Sequence, residues 1–198
     1  EDAGASVTTG TLNTLLGGLT GDALTTGNNN TALGMASLGN DTQGSKSTAV
    51  GVAALFQQNF TSATDSYNTA VGYNAGTSVT TGVKNTLVGG LAGDGLTTGN
   101  NNTAMGYLSL SASTTASENS AFGAGSLNST TTGTANVAVG QNAAVTNTTG
   151  SNNTVIGQDA LFYNTTASQN TVVGSSAMFT NTTGEQNAVL GHQASYSN

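Results

Sequence analysis

The stretch Asn-Thr-Val-Ile-Gly-Gln-Asp-Ala-Leu-Phe-Tyr-Asn-Thr-Thr, at residues 153–166, contains the pattern that decides the fold. The pattern of its first five residues, Asn, Thr, two apolar residues and Gly, recurs with few exceptions along the whole 198-residue chain. The glycines that end these pentads are Gly17, Gly34, Gly51, Gly72, Gly89, Gly106, Gly123, Gly140, Gly157, Gly174 and Gly191. They are 17 residues apart, except that 21 residues separate Gly51 from Gly72. The chain is therefore an array of eleven repeats with one insertion of four residues.

The repeat keeps its residue types in columns when this Gly is numbered position 5. Position 1 is Asn in ten of the eleven repeats, and Ser47 is the exception. Position 3 is always apolar and most often Ala, and position 4 is always a sizeable apolar residue. The 28 Gly and the 6 % of charged residues would otherwise be typical of a flexible low-complexity segment. A disordered linker has no reason to keep such columns, so we expect a folded array.

The residue types in each repeat favour short strands separated by turns. Thr, Val and Ile favour strands, whereas Gly and Asn favour turns. We predict a strand at positions 1–4, a turn at position 5, a second extended stretch near positions 8–10 and a Thr-Thr-Gly turn. Stacking such repeats gives an all-β fold, a parallel β-solenoid or β-roll of about eleven 17-residue coils. At about 4.8 Å per coil the rod is roughly 50 Å long.

We treat residues 1–198 as a single repeat array with an inserted loop near residues 57–60. Glu1 falls at position 6 and Asn198 at position 12, so both ends lie inside coils, and we expect a fragment of a longer fibre. The position 5 glycines supply a positive φ or a corner without a Cβ. The Asn column predicts a ladder of side-chain hydrogen bonds between coils.

Positions 3 and 4 are adjacent, so their side chains point to opposite faces of a strand. Only one of them can face the interior of the coil. Because position 3 is usually Ala, we expect that column to be the one covered, by close approach of an identical neighbour. Ordering a residue costs about 1–2 kcal/mol, whereas a buried Val or Leu returns about 1.5–3 kcal/mol. A solitary coil with so few apolar residues is marginal, and we predict an obligate homo-oligomer in parallel register.

The residues at 68–75 and 153–166, with Asn-Thr-Thr-Gly at 147–150 and 181–184, resemble the NTAxGxxALxxNTTG repeat of phage tail-fibre proteins. Many of those proteins end in a trimerisation chaperone domain. The chain is similar, more distantly, to the head repeats of trimeric autotransporter adhesins, whose repeat unit is shorter. The resemblance covers the entire chain. It implies an extracellular homotrimeric fibre, on a virion or a bacterial surface, that reaches toward a host glycan or protein receptor.

We therefore expect a rigid structural segment of an attachment fibre. The alternatives are a bacterial surface adhesin or extracellular filament and, as a lesser one, an ice-binding solenoid. Ice binding needs a regular outward Thr-x-Thr array, whereas the Thr pairs here are adjacent at positions 13 and 14. The sequence that flanks the array would discriminate the fibre from the adhesin.

Composition argues against several other classes of function. Two Lys against nine carboxylates give a net charge of −7, so the chain has no basic surface for nucleic acid. It has no Cys and no apolar run long enough to insert into a membrane. His192 is at a variable position, and Asp22 and Asp94 lie four coils apart, too far for an acid pair. We expect no enzyme activity, no metal and no cofactor.

The aromatic residues are the best candidates for surface binding. Phe56, Phe162, Phe179 and Tyr196 share position 10, and the last three are in consecutive repeats. They should therefore stack about 5 Å apart, either as a structural rib or as a sugar-binding platform. Tyr73 and Tyr107 at position 6, and Phe60 in the inserted loop, complete the set. Loops on rigid scaffolds often carry recognition.

Overall fold

A computed structural model describes residues 2–197, so Glu1 and Asn198, and the positions assigned to them above, lie outside the described residues. The strands are β1 Thr14–Leu16, β2 Thr31–Leu33, β3 Gly44–Ser45, β4 Thr48–Val50, β5 Thr64–Asp65, β6 Thr69–Val71, β7 Thr86–Val88, β8 Thr103–Met105, β9 Ser120–Phe122, β10 Val137–Val139, β11 Thr154–Ile156, β12 Thr171–Val173 and β13 Ala188–Leu190. No helix occurs in this range.

Eleven of the strands form one parallel sheet that runs the length of the rod. Its order is β1-β2-β4-β6-β7-β8-β9-β10-β11-β12-β13, and β3 and β5 form a second, two-stranded parallel sheet. Equivalent repeat positions pair with each other, as in Thr14 with Thr31 and Leu16 with Leu33. The prediction of an all-β parallel β-solenoid is therefore confirmed.

Each strand of the eleven-stranded sheet ends immediately before the position 5 glycine. The φ angles of all eleven lie between 125° and 143°, a region that side-chain-bearing residues rarely adopt. A Cβ built on Gly34 would come within 2.6 Å of the carbonyl oxygen of Gly51 in the next coil. Gly is thus required at position 5 both by the backbone conformation and by the close approach of neighbouring coils.

The second extended stretch predicted near positions 8–10 is wrong, because this side of the coil is a series of turns. Ala54 N–H donates to Gly51 C=O, and Phe56 N–H donates to Ala53 C=O, both at 3.3 Å. In every repeat from Gly17 to Gly191, positions 7 and 9 have φ between 49° and 69°. The N–H of position 7 donates to the preceding coil and that of position 9 to the following coil. These bonds between coils offset the cost of the left-handed residues, about 1–2 kcal/mol each.

The orientation expected for positions 3 and 4 is also wrong. Position 3 faces the interior, where Ala32 is fully buried, and position 4 faces outward, where Leu33 is 43 % exposed. Position 9 of the same coil lies opposite position 3, and Leu occurs at position 3 only where position 9 is Gly, as in Leu15 with Gly21. In one coil Ala32 at position 3 lies opposite Leu38 at position 9. In another, Leu87 at position 3 lies opposite Gly93 at position 9, where a Cβ would come within 2.7 Å of a Leu87 methyl group. Ala at position 3 therefore reflects packing within the coil.

The extra residues begin within the predicted segment 57–60 and continue just after it. Gln43 N–H donates to Phe60 C=O with an offset of 17 residues, one more than in a regular coil, where Thr26 N–H donates to Thr42 C=O. Gly44 then pairs with Thr64, and Thr48 pairs with Thr69, offsets of 20 and 21. One extra residue is thus already present at Phe60, two more lie between Phe60 and Thr64, and the fourth lies between Asp65 and Asn68. The insertion leaves the stacking of the main sheet unchanged.

Candidate functional site

The Asn column forms a buried ladder along the inside of the rod. Asn119 Nδ2 donates to Gly133 C=O across the same coil at 2.9 Å. Its Oδ1 accepts from the backbone N–H and from Nδ2 of Asn136, at 3.0 and 3.1 Å. The same pattern repeats from Asn85 to Asn153, and the bonds between successive Asn residues continue to Asn187. Both ends of each amide are used inside the protein, so this column supports the structure and is not accessible to a ligand.

The ladder is interrupted at Ser47, where a buried network replaces it. Gln58 Nε2 donates to Asp41 Oδ2 at 2.6 Å and to Ser47 Oγ at 2.8 Å. Gln58 Oε1 accepts from Asn68 Nδ2 at 2.8 Å, which restores the connection to the next rung. The Gln58 amide therefore occupies the place of the missing Asn amide.

Asp41 is the buried carboxylate of this network and is fully shielded from solvent. Its Oδ1 accepts from the backbone N–H groups of Gly44 and Phe60, at 3.0 and 3.1 Å. Burial raises the pKa of Asp41 above 3.8, and the hydrogen bond from Gln58 and those from the backbone oppose this only in part. The sequence alone did not reveal this group, because position 12 varies between apolar residues such as Leu24 and polar residues such as Asn147.

The Thr column at position 13 is also tied into the rod. Thr97 Oγ1 donates to Thr114 C=O at 2.8 Å, and Thr148 Oγ1 donates to Thr165 C=O at 2.8 Å. Thr25 does the same to Thr42. These hydroxyls donate their protons to the next coil, so Thr at position 13 connects successive coils.

The outer side of the eleven-stranded sheet, which we term the sheet face, consists of positions 2, 4 and 6. Its central column at position 4 is apolar in every repeat. Among its exposed members are Leu16, Leu33, Met105, Phe122, Val139, Ile156 and Leu190, whose exposed fractions range from 37 % to 81 %. Tyr73 and Tyr107 at position 6 are 61 % and 58 % exposed beside this column. A continuous apolar strip of this kind is unusual on the surface of a solitary chain.

The predicted aromatic stack forms at the C-terminal end of the rod. Phe162 and Phe179 stack with ring centroids 5.1 Å apart, and Phe179 and Tyr196 stack at 4.9 Å. Tyr163, which the sequence analysis did not single out, lies edge-on to Phe162 and Phe179 at 4.8 and 5.3 Å. The position of Tyr163 directly after Phe162 in the sequence could have predicted that it joins the stack. Within the stack each inner ring face is covered by the next ring, which favours a structural rib over a sugar platform.

The remaining predicted aromatics separate into two kinds. Phe60 is only 6 % exposed, so its assignment as a surface-binding residue is wrong. Asp41 holds its backbone N–H and directs the side chain inward. Phe56 is partly exposed and lines an open groove of about 560 Å³ with residues of four successive coils. Tyr107 lines a smaller open groove together with Asn128 and Asn142.

The titratable side chains do not converge on a reactive centre. Within residues 2–197 no three His, Asp or Glu side chains are close enough to hold a metal ion. His192 is exposed. Lys46 Nζ lies 2.6 Å from Asp65 Oδ2 and donates to Tyr67 Oη at 3.1 Å. The hydrogen bonds to Asp65 and Tyr67 raise the pKa of Lys46. This cluster is on the surface of the inserted loop.

Together these features define the chain as a β-solenoid repeat protein, with apolar and aromatic groups on its outer surfaces. No protein-family model, curated protein or solved structure matches it. Over residues 2–197 we find no helix that is both long and apolar enough to cross a membrane.

Proposed function

We propose that this chain is a structural segment of a trimeric attachment fibre of the phage tail-fibre type. In this role it is a rigid extracellular shaft that presents, or contributes to, a surface that binds a host cell. The observation that carries the proposal is the apolar column at position 4 of the sheet face. It continues over eleven strands while the interior of the same coils is already filled.

The sheet face supports self-association because identical rods have identical spacing. Apolar ladders on parallel copies come into register along their whole length, and burial of each Val, Leu or Ile contributes about 1.5–3 kcal/mol. A partner with a different repeat would match only a few coils. The resemblance to tail-fibre repeats supplies the number of three chains and the role in attachment.

Sedimentation equilibrium of the chain at tens of micromolar tests the assembly. We expect the mass of three chains, and unbranched rods in negative-stain images. The double variant Val139→Thr/Ile156→Thr keeps β-branched residues but makes the column polar, and should sediment as one chain with an unchanged far-UV circular dichroism spectrum. The matched control Thr149→Ser/Thr166→Ser alters exposed residues of the same two repeats and should remain trimeric. A wild-type chain that is monomeric would overturn the proposal.

A further inference from the structure

We propose that the groove beside Phe56 binds a neutral oligosaccharide. This inference rests on the proposed function in one respect, since it names the class of ligand that an attachment fibre would contact. The groove belongs to the turn side of the coils, at repeat positions 10, 11 and 13, and is separate from the sheet face.

Phe56 differs from the other aromatics of its column in what lies next to it. The neighbours at position 10 are Gly39 and Thr77, so no ring stacks on Phe56. A Cβ on Gly39 would come within 3.0 Å of the Phe56 ring, which shows that the ring lies against the Gly39 backbone. Phe162 and Phe179, in contrast, cover each other at 5.1 Å. Phe56 is therefore a partly exposed ring of this column with no aromatic neighbour, and its exposed part can contact a ligand.

The polar groups around Phe56 are carboxamides and hydroxyls. Asn40, Gln57 and Asn59 are exposed, and Thr42 and Thr80 are partly exposed. Thr42 Oγ1 donates to Phe60 C=O at 2.8 Å and lies 3.1 Å from Asn59 Oδ1, so that amide is next to a hydroxyl fixed by the backbone. Carboxamides donate and accept hydrogen bonds at once, as sugar hydroxyls do.

No charged residue lines the groove, although the chain carries a net charge of −7. An anionic ligand would find no cation there and would be repelled by the chain as a whole. A cationic ligand would find no carboxylate partner in the lining. The remaining chemistry, an aromatic ring surrounded by carboxamides, suits a neutral pyranose. Its C–H groups contact the electron-rich ring face while its hydroxyls reach the amides.

The dimensions favour a chain of sugars over a single one. The lining residues Ala23, Asn40, Gln57 and Thr80 come from four successive coils. At about 4.8 Å per coil the groove extends roughly 15 Å along the rod. The groove is also held in place from below, because the buried Asp41 fixes Phe60 directly after Asn59.

Isothermal titration calorimetry tests the inference, with hexasaccharides of glucose, mannose, galactose and N-acetylglucosamine as probes. Hexagalacturonate serves as the anionic counterpart. We expect at least one neutral hexasaccharide to bind the wild-type chain, and hexagalacturonate not to bind. Phe56→Ala should lower that affinity at least tenfold. The matched control Phe179→Ala removes a stacked ring from the same column and should leave the affinity within twofold.

Three outcomes would overturn the inference: no neutral probe binds, Phe56→Ala binds as tightly as wild type, or both variants lose binding equally. Circular dichroism and sedimentation of each variant show whether fold and assembly are intact. Because Phe56 is remote from position 4, a monomeric chain that still binds sugar through Phe56 would refute the trimer alone. A trimeric chain that binds none of the probes would refute only the sugar site.

Discussion

The repeats from Asn85 to Asn153 and the segment 41–68 continue the buried line of hydrogen bonds at position 1 by different means. In the regular repeats one Asn per coil bonds across its own coil and to the next Asn, so that every rung is identical. In the segment 41–68 the side chain at position 1 is too short, and Gln58 reaches in from position 12 to replace it. In the regular repeats the hydrogen bonds are therefore shared among many Asn side chains, whereas in the segment 41–68 several of them depend on Gln58 alone.

The two arrangements also differ in charge. The ladder consists of neutral amides, whereas the replacement network needs the buried carboxylate of Asp41 to hold Gly44 and Phe60. A buried charge depends strongly on its partners. We therefore expect the irregular segment to respond more sharply to substitution and to pH than the regular repeats.

The largest effect is expected for Gln58→Ala. This change removes hydrogen bonds to Asp41, Ser47 and Asn68 and leaves a buried carboxylate oxygen without its side-chain donor. We expect the free energy of unfolding, measured by urea denaturation, to fall by about 3–5 kcal/mol. The exposed neighbour Gln57 provides the control, because Gln57→Ala should change the free energy of unfolding by less than about 0.5 kcal/mol. Similar losses for both variants would show that the network is dispensable.

Asn119→Ser reproduces the Ser47 exception in a repeat that has no equivalent of Gln58. The shorter side chain cannot reach Gly133, and it leaves the Asn136 amide without its acceptor. We expect a loss of about 2–4 kcal/mol in the same assay. The exposed Asn40 is a suitable control, since Asn40→Ser should be nearly neutral. A neutral Asn119→Ser would mean that the ladder does not stabilise the rod.

The raised pKa of Asp41 predicts a dependence of stability on pH. The folded chain binds the Asp41 proton more tightly than the unfolded chain, so protonation favours folding. This contribution is complete below about pH 3.8 and is lost as pH rises through the raised value. Stability curves of wild type and Asp41→Asn from pH 3 to pH 8 measure it. The wild type should lose stability relative to the variant over this range, and parallel curves would contradict the prediction.

The smallest effect concerns Thr130, one of the polar residues that occupy position 12 in the later repeats. Its hydroxyl is buried and has no hydrogen-bond partner among the described residues. Thr130→Val keeps the shape of the side chain and removes the unpaired group, so we expect a gain of about 1 kcal/mol. Thr132→Val, at an exposed site two residues away, should give no comparable gain. A loss for Thr130→Val would show that the hydroxyl is paired in solution.

The sequence predicted what depends on period. The 17-residue spacing gives the parallel register of the sheet. The invariant Gly at position 5, the Asn residues at position 1 and the consecutive aromatics at position 10 form columns that stack at about the spacing of strands. The column at position 13 also shows why Thr, which can bond to the next coil, recurs there.

The sequence did not predict the shape of the turn side. Alternating left-handed residues at positions 7 and 9 are as varied as Ala53, Leu55 and Asp159, so residue type alone gave no signal. The inward orientation of position 3 depends on position 9 across the coil, a pairing that a single column does not reveal. The bonds that Gln58 makes to Ser47 and Asn68, and the bond of Phe60 to Asp41, join residues of different coils and appear only in three dimensions.

The in-phase register has a consequence for how such rods change length. Every coil contacts mainly the coil before it and the coil after it, through bonds between equivalent positions. Gain or loss of one whole repeat therefore creates no new type of contact and moves everything beyond it by about 4.8 Å. Reach can thus vary in fixed steps through duplication or deletion in the gene, while the surfaces at each point along the rod keep their form.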